Sequence, residues 1–501
     1  MPRKIRSKKG WLRILLMAKD LARIRACKTL ENLNFEVVDY PAKSPSDYEV
    51  EKVIEFANQK KADLILPMWS PHSEDYRLSL ECEKGNILFV GPQWEVLKIA
   101  GNKQFSCKIA KIAGLPVLPQ GSAKNAQDAA KIADKIGYPV MIKADEGGGG
   151  LAMDVARSRE ELFLSWEKIG NKSSIYFPGT TVSIQKFIEK AAHLEVQVAG
   201  DKKGNVLHLG MRNCSYQLQR QKRIEESHGI IDGKKRKYLY DMAVLFGKYL
   251  SSNMGHIILG TVEFIIDENG NAYFIEMNGR IQVEHRVTEQ AVGHGLDLVR
   301  LQIALSMGES LLSTFPGGQE EIDAMLREGR WSINARVYAE AFDTYEDRFG
   351  VFGEVAIPVN PEYVQVDTPI YSNFKMSSEF SAHIMNVAVY GKGINARQDA
   401  IDLLIKTLEE VKIYGVNTNI PKQIKALTHP DFIKGHYNTE LYEEAVAEDD
   451  GREIAAAIGV AVALATRNNS NRYMQNTQYS AGPSAWKLSG RIRPRPERPR
   501  K

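Results

Sequence analysis

The sequence predicts an α/β protein in which a doubly wound parallel α/β unit is followed by a longer body rich in antiparallel strands. Three observations predict it. Over the first hundred residues, short continuous apolar runs alternate with helix-period segments. From about residue 180, β-type segments are separated by turn residues instead of helices. The composition, 43% apolar and 26% charged over 501 residues, supports several buried cores and excludes a disordered chain.

In chain order, LRILLM, FEVVDY, ADLILPMW and NILFVGP read as strands, and LARIRACKTL and EVEKVIEFANQ as helices, giving the order β-α-β-α-β-β. Continuous apolar strands of this kind are covered on both faces, as in parallel sheets. A second block opens near Gly101 with the helix NKQFSCKIAKIAG, stopped by Gly114 and Pro116, and continues with AQDAAKIADKIG and the strand YPVMIKA. TTVSIQKFIEK, LEVQVAGD, NVLHLGMRN, VEFIID and AYFIEM, with turn chemistry between them, predict an antiparallel sheet. After about residue 330, SINARVYAE, GEVAIPV, YVQVDTPI and HIMNVAVYG form a β-rich block closed by the helix ARQDAIDLLIKTLEEVKIYG. AVAEDDGREIAAAIGVAVALATR then predicts one helix before a polar, Arg- and Pro-rich end. The blocks are residues 1–100, 101–330, 331–445 and 446–501.

Charge and cysteine usage exclude several classes. The net charge of +4 arises at the ends: residues 1–19 carry seven Lys or Arg and no acid, and residues 487–501 carry seven against Glu497. The body is therefore mildly acidic, which argues against a nucleic-acid partner. No apolar run is long enough to span a membrane, and the opening segment lacks the apolar stretch of a signal peptide. The four cysteines (Cys27, Cys82, Cys107, Cys214) lack C-x-x-C spacing, so neither disulfides nor a zinc site are expected, and a cytoplasmic location is.

Three segments carry chemistry. In TVEFIIDENGNAYFIEMNGRIQVEH (261–285), Asn269-Gly270 predicts a two-residue hairpin with positive φ at both turn positions. That turn sets Glu263 opposite Glu276, with Asn278 and Arg280 on the face of Glu276. Facing carboxylates repel unless a cation lies between them, and oxygen ligands of this kind suit Mg²⁺ or Mn²⁺; the other reading is a solvated hairpin face. In MIKADEGGGGLAM (141–153) a strand delivers Lys143 and then four glycines, which read either as a phosphate-covering loop or as a hinge, without P-loop or dinucleotide-fold spacing. In residues 193–227, Arg212, Arg220, Lys222 and Arg223 form a basic patch that reads as an anion site or as a solvated face.

Together these segments resemble the biotin carboxylases, the ATP-grasp subunit or domain of biotin-dependent carboxylases. The resemblance rests on KADEGGGG, HLEVQVAGD, NCSYQLQRQK, GTVEFIIDENG, INARVYAE, NARQDAIDLLIKTLEEVKIYGVNTN and above all FIEMNGRIQVEHRVTEQAVG. It implies a biotin carboxylase N-terminal α/β domain (1–100), an ATP-grasp domain (101–330) and a β-rich biotin carboxylase C-terminal domain (331–445), followed by a helix and basic tail. It also implies site roles. Lys103, Lys143 and the glycine loop Gly147, Gly148, Gly149 and Gly150 would serve the phosphates of ATP. Lys186 and Ile188 would lie at the adenine, and His193 and Gln217 on the ribose or phosphate side. Glu263, Glu276 and Asn278 match the metal ligands, and Lys222, Arg280, Gln282 and Val283 the bicarbonate site. Glu284 matches the base, and Arg336 the group that stabilises the biotin enolate.

The implied activity is ATP- and bicarbonate-dependent carboxylation of biotin through carboxyphosphate, with Mg²⁺ or Mn²⁺. No biotin-accepting Met-Lys-Met context occurs here, so a separate biotin carboxyl carrier protein and a carboxyltransferase are implied partners, together with a homodimer. The sequence departs from the family at Leu151-Ala152-Met153 after the glycines, at Gln185 where glutamate is usual, at Leu218-Gln219 and Arg220, and at AKDLARIRA, LPMWSPHSED and EFSAHIM. Trp69 stands in for a tyrosine near biotin. Two other readings follow from these departures: a non-catalytic nucleotide-binding paralogue that regulates or scaffolds a carboxylase, and an ATP-grasp ligase for another acceptor.

Overall fold

A computed structural model of the chain describes residues 12–42, 45–144, 153–176, 182–229, 231–252, 255–340, 350–358, 362–376 and 381–447. The glycine run 147–150, and the helix and tail expected beyond residue 447, lie outside these residues.

The first block contains β1 (Arg13–Leu16), α1 (Asp20–Leu30), β2 (Glu36–Asp39), α2 (Val50–Gln59), β3 (Leu64–Leu66), α3 (Tyr76–Lys84), β4 (Leu88–Phe89) and α4 (Trp94–Ala100). Its sheet is parallel, in the order β2-β1-β3-β4. Burial on both faces is visible by parity: Ile14, Leu16, Leu64 and Leu66 enter one core, and Leu15 and Ile65 the other. The expected β-α-β-α-β-β order is corrected by α3, which separates the last two strands. Asp75 caps it by accepting from the Arg77 N–H at 2.9 Å, but Leu78 and Cys82 are its only fully buried apolar side chains, too few to set a visible period.

The next residues form α5 (Lys103–Ile112), β5 (Gln120–Ala123), α6 (Ala126–Ile136), β6 (Val140–Ala144), β7 (Met153–Ala156), α7 (Arg159–Tyr176) and β8 (Val182–Lys186). Their four strands make an antiparallel sheet ordered β5-β8-β6-β7. Ala129, Ala130 and Ala133 of α6 pack on it with Ile142 and Ile184.

The remaining elements are β9 (Ala192–Gly200), β10 (Val206–Leu218), β11 (Gln221–Ser227), α8 (Gly233–Ser252), β12 (Ile258–Ile266), β13 (Ala272–Asn278), α9 (His285–Val292), α10 (Leu298–Ser306), α11 (Leu311–Thr314) and α12 (Gly318–Arg327). They are followed by β14 (Arg330–Tyr338), β15 (Val355–Ala356), β16 (Val364–Asp367), β17 (His383–Lys392), α13 (Ala396–Glu410), β18 (Lys412–Ile413), α14 (Ile420–Leu427), α15 (Pro430–Lys434) and α16 (Leu441–Ala447). Eight of these strands form one antiparallel sheet, β13-β12-β9-β10-β11-β14-β17-β16. It runs unbroken past residue 330, because β11 pairs with β14 through Ile224–Ala335 and Glu225–Asn334. Tyr216 and Ile224 accordingly share a core with α13 and α14.

The β12–β13 hairpin differs from its expected form in two ways that cancel. The connection is a three-residue loop closed by the Asp267 N–H donating to the Asn271 carbonyl, and only Gly270 (φ +82°) has positive φ. The extra loop residue shifts the register by one, so Phe264 pairs with Phe274. A bulge at Ile275 then restores the expected pairing of Glu263 with Glu276 and of Thr261 with Asn278. The bulge also resolves a parity conflict: Phe274 and Met277 both enter the core although three residues apart, while Glu276 and Asn278 face away from it.

Candidate active site

Strands β9 to β14 carry the site on the face opposite the Val196–Phe264 core. In β9, Leu194, Val196 and Val198 point into that core, so His193, Glu195 and Gln197 point away from it. In β12, Glu263 lies opposite Glu195 on one side and Glu276 on the other. Three carboxylates in a row across adjacent strands are unstable without cations.

Lys222 supplies one. Its ammonium, on the short β11, donates to Glu195 at 2.6 Å, Glu284 at 2.7 Å and Glu263 at 3.1 Å. Arg336 of β14 donates to Glu225 at 2.5 Å and, through Nη2, to the other oxygen of Glu284 at 2.9 Å. Both Glu284 oxygens are therefore held by cations, and its side chain is fully buried. Burial raises the Glu284 carboxyl, but Lys222, Arg336 and Arg212 outweigh it and hold the group well below the ordinary carboxylate range. Glu263 is held low in the same way, burial being overcome by Lys222 and His193. Glu195 and Glu225 move upward because burial dominates there. The four buried carboxylates are thus unequal, with Glu263 and Glu284 shifted down and Glu195 and Glu225 shifted up.

The amide and imidazole partners fix orientations. His193 Nε2 lies 2.7 Å from Glu263, and Gln217 Nε2 lies 2.7 Å from His193 Nδ1, so the ring accepts from the amide and donates to the carboxylate. Asn278 donates to Glu263 at 2.9 Å, and Gln282 donates to Thr261 at 3.0 Å and to Glu263 at 3.3 Å. Glu276 meets Lys103 at 3.4 Å. The oxygen donors of Glu263 and Glu276, opposed in register beside the Asn278 amide, fit a hard divalent cation. A second cluster, Glu195, Cys214 and Glu284, has ligand atoms within 4.8 Å of one another, but the Lys222 ammonium already bonds its two carboxylates.

The remaining expected residues divide. Arg280 lies beyond the end of β13 and donates to Glu74 at 2.9 Å and to the Gln282 side chain at 3.1 Å. Val283 lies in the turn between Gln282 and Glu284. Lys143 donates to Gln185 at 2.9 Å, and Gln185 in turn to Gln120 at 3.0 Å, a neutral amide pair. Lys186 donates to the carbonyls of Gly137 and Tyr138 at 3.0 and 2.9 Å, and Ile188 is half-buried past the end of β8. Gly147, Gly148, Gly149 and Gly150 lie outside the described residues.

The four cations of the basic patch do not form one cluster: Arg212 and Lys222 share Glu195, while Arg220 and Arg223 lie elsewhere. Arg212 is fully buried on Glu195, Gln197 and Thr288. Arg223 stacks on Tyr338 at 4.3 Å, and Arg220 occupies the exposed β10–β11 turn with φ +63°. Sequence reasoning missed Glu74, Glu195, Glu225 and Asn334, the last donating to Glu225 at 2.7 Å. For Glu195 the alternation of His193, Glu195 and Gln197 with apolar residues was readable, whereas the complete burial of its charged member was not.

Comparison with known proteins adds independent findings. Three family models match: "Biotin carboxylase, N-terminal domain" at residues 35–97, "Carbamoyl-phosphate synthase L chain, ATP binding domain" at 102–314, and "Biotin carboxylase C-terminal domain" at 334–444. The chain is 34% identical to the 2-oxoglutarate carboxylase small subunit of Hydrogenobacter thermophilus, covering 79% of this chain and 80% of that one. It is 36% identical to biotin carboxylase 1 of Bacillus subtilis, covering 80% and 87%. Among solved structures, the biotin carboxylase domain dimer of the Hydrogenobacter enzyme, in complex with MgADP, ADP and bicarbonate, is 32% identical with a TM-score of 0.77, covering 86% of this chain and 97% of that one. A biotin carboxylase complex from Campylobacter jejuni is 29% identical with a TM-score of 0.76, covering 86% and 98%. Among the described residues no helix is long and apolar enough to cross a membrane.

Proposed function

Since this chain belongs to the biotin carboxylase family, we propose that it is the biotin carboxylase subunit of a multi-subunit carboxylase, an ATP-dependent carbon–nitrogen ligase that carboxylates biotin on a separate carrier protein. The observation that carries this reading is the buried Glu284 carboxylate clamped by Lys222 and Arg336 beside the opposed pair Glu263 and Glu276.

The residues divide the work as the chemistry requires. Bicarbonate enters as an anion between Arg280, Gln282 and Lys222. Its arrival beside Lys222 draws the ammonium from Glu284, which lifts that carboxyl toward a value at which it accepts the bicarbonate proton. The deprotonated oxygen attacks the γ-phosphorus of ATP and ADP leaves, giving carboxyphosphate. Lys103 and Lys143 neutralise the phosphates, with the glycine run 147–150 assigned to the same group. Glu263, Glu276 and Asn278 would hold a divalent cation, which would supply further positive charge to the two joining anions. Carboxyphosphate breaks down to CO₂ and phosphate, and the phosphate takes the ureido N–H proton of biotin. Arg336, fixed by Glu225, then faces the enolate-like oxygen, and the nitrogen attacks CO₂. Removing one such preorganised charge partner costs about 2.7 to 4 kcal/mol in the barrier.

In this reading residues 1–100, 101–330 and 331–445 are the N-terminal, ATP-grasp and C-terminal units, the partners are a biotin carboxyl carrier protein and a carboxyltransferase, the chain forms a homodimer, and its location is cytoplasmic. The test is bicarbonate-dependent ATP cleavage stimulated by free biotin or a biotinylated carrier. Wild-type protein shows it, and Glu284→Gln retains nucleotide binding but loses about 10²- to 10⁴-fold in turnover. Equal turnover in the two proteins, with tight ATP binding in both, rejects the catalytic reading in favour of a scaffold. Stimulation by another amine or amide, but not by biotin, assigns a different acceptor.

A further inference from the structure

Arg25 lies on α1, 1% exposed, and its guanidinium is committed in three directions. Nη1 donates to Thr29 Oγ1 at 2.5 Å, and Nη2 to Glu289 at 2.7 Å and Asp297 at 2.9 Å. Nε donates to His285 Nε2 at 2.8 Å. Arginine cannot accept, so Nε2 is the accepting nitrogen of the ring. Burial lowers His285 to about 4, which leaves the ring neutral with its single proton on Nδ1. That proton faces the carbonyls of Gln282 at 2.8 Å and Val283 at 3.2 Å. Trp69 packs against the ring, with centroids 5.7 Å apart. The opposite tautomer would set N–H against N–H at Arg25 and a lone pair against two carbonyls.

We infer that Arg25 is a positioning residue: by fixing the His285 tautomer it locks the Gln282–Val283 peptides, and with them the placement of the Glu284 carboxylate and the Gln282 amide. The inference deepens the carboxylation reading and rests on it for its kinetic part. Glu289 and Asp297 already balance the Arg25 charge, so a lysine keeps that balance but not the Nε–H bond to the ring. Position 25 also lies outside residues 35–97, the stretch matched by the N-terminal family model.

The test uses the full chain as wild type, Arg25→Lys, His285→Asn and the double variant. Arg25→Lys keeps the charge against Glu289 and Asp297 but loses the bond to the ring. It is expected to lower kcat for bicarbonate-dependent ATP cleavage about 10- to 100-fold, with KM for MgATP within two-fold, since a misplacement of about 1 Å costs on the order of 10²-fold. In His285→Asn the side-chain amide has no tautomer to fix, so Arg25→Lys costs less than two-fold in that background. In ¹⁵N-histidine-labelled protein the His285 ring reads as the Nδ1–H tautomer in wild type and loses that signature in Arg25→Lys. An unchanged kcat in Arg25→Lys, an equal cost in both backgrounds, or an unchanged ring signature overturns the inference. If wild type shows no bicarbonate-dependent cleavage, the carboxylation reading fails, and the ring signature alone decides the Arg25–His285 clamp.

Discussion

Lys222 is one ammonium facing three carboxylates, and the energetic consequence is asymmetric. Burial opposes its charge, but the acidic groups around it, Cys214, Glu195, Glu263 and Glu284, raise it well above the ordinary lysine value. Replacing it with methionine leaves buried carboxylates without their cation, which costs about 3 to 5 kcal/mol of stability at neutral pH. The pH dependence has a definite sign. Glu263 and Glu284 are depressed in the folded protein, so their contribution is present above the ordinary carboxylate pKa and is lost as pH falls through the lowered values. Lys222→Met weakens that depression, leaving Arg336 on Glu284 and His193 on Glu263. Its deficit relative to wild type is therefore largest at pH 7 and shrinks as pH falls into and below the ordinary carboxylate range, where the carboxyls of the variant and of the unfolded chains protonate first. Urea unfolding of both proteins at several pH values checks this; a deficit that grows on acidification contradicts it. The identities of Glu263, Glu276 and Glu284 were legible in the sequence because they sit in one unbroken string. Glu195 and Glu225 were not, because their importance depends on Arg212, Lys222 and Arg336 arriving from other strands.

At the scale of the element, the β12–β13 hairpin carries the expected register by an unexpected route. Asn269-Gly270 suggested a two-residue turn, but the Asp267 side chain receives the Asn271 N–H at 2.7 Å and the Asn271 amide at 2.9 Å, closing a longer loop. Only Gly270 then needs the left-handed region, and an added Cβ would also meet the Lys235 ammonium. Gly270→Ala is expected to cost about 1 kcal/mol, read from chemical unfolding, with turnover near wild type because the strained position is remote from the bulge. Deletion of Ile275 removes the bulge residue itself and makes Phe274 and Glu276 successive positions of a regular strand, on opposite faces, so core and site keep their side chains. ATP cleavage within about ten-fold of wild type is the expected outcome, and a loss of about 10²-fold or more contradicts this account of the bulge. Strand types along the chain were readable from alternation; the bulge was not, because it answers to the packing of Phe274 against Phe246 at 4.9 Å, a contact with α8.

For the molecule as a whole, nucleotide and metal binding are linked to folding. At about 100 times its dissociation constant, MgATP stabilises the native state by about 2.7 kcal/mol. The gain measured by thermal unfolding is expected to fall when EDTA removes the cation, since Glu263 and Glu276 would then meet the phosphates with only Lys222 and Lys103 to offset the negative charge. Equal gains with and without chelator contradict the assignment of these two residues to the cation. The eight-stranded sheet makes this coupling broad, because it carries site residues on six neighbouring strands and continues into the β14–β17 block without a break.

The sequence by itself determined the types of the strands and helices with a clear period, the opposed glutamates and the family string, because alternation, turn chemistry and motif spacing are local properties of adjacent residues. It also determined that the first sheet is parallel, since continuous apolar strands need cover on both faces. Tertiary structure decided which charge meets which. Lys222 reaches Glu284 across 62 positions, Arg336 reaches it across 52, and Arg25 reaches His285 across 260. Buried charges are tolerated only with a partner at hydrogen-bond distance, and no pattern among neighbours in the chain specifies a partner brought there by the packing of separate strands and helices.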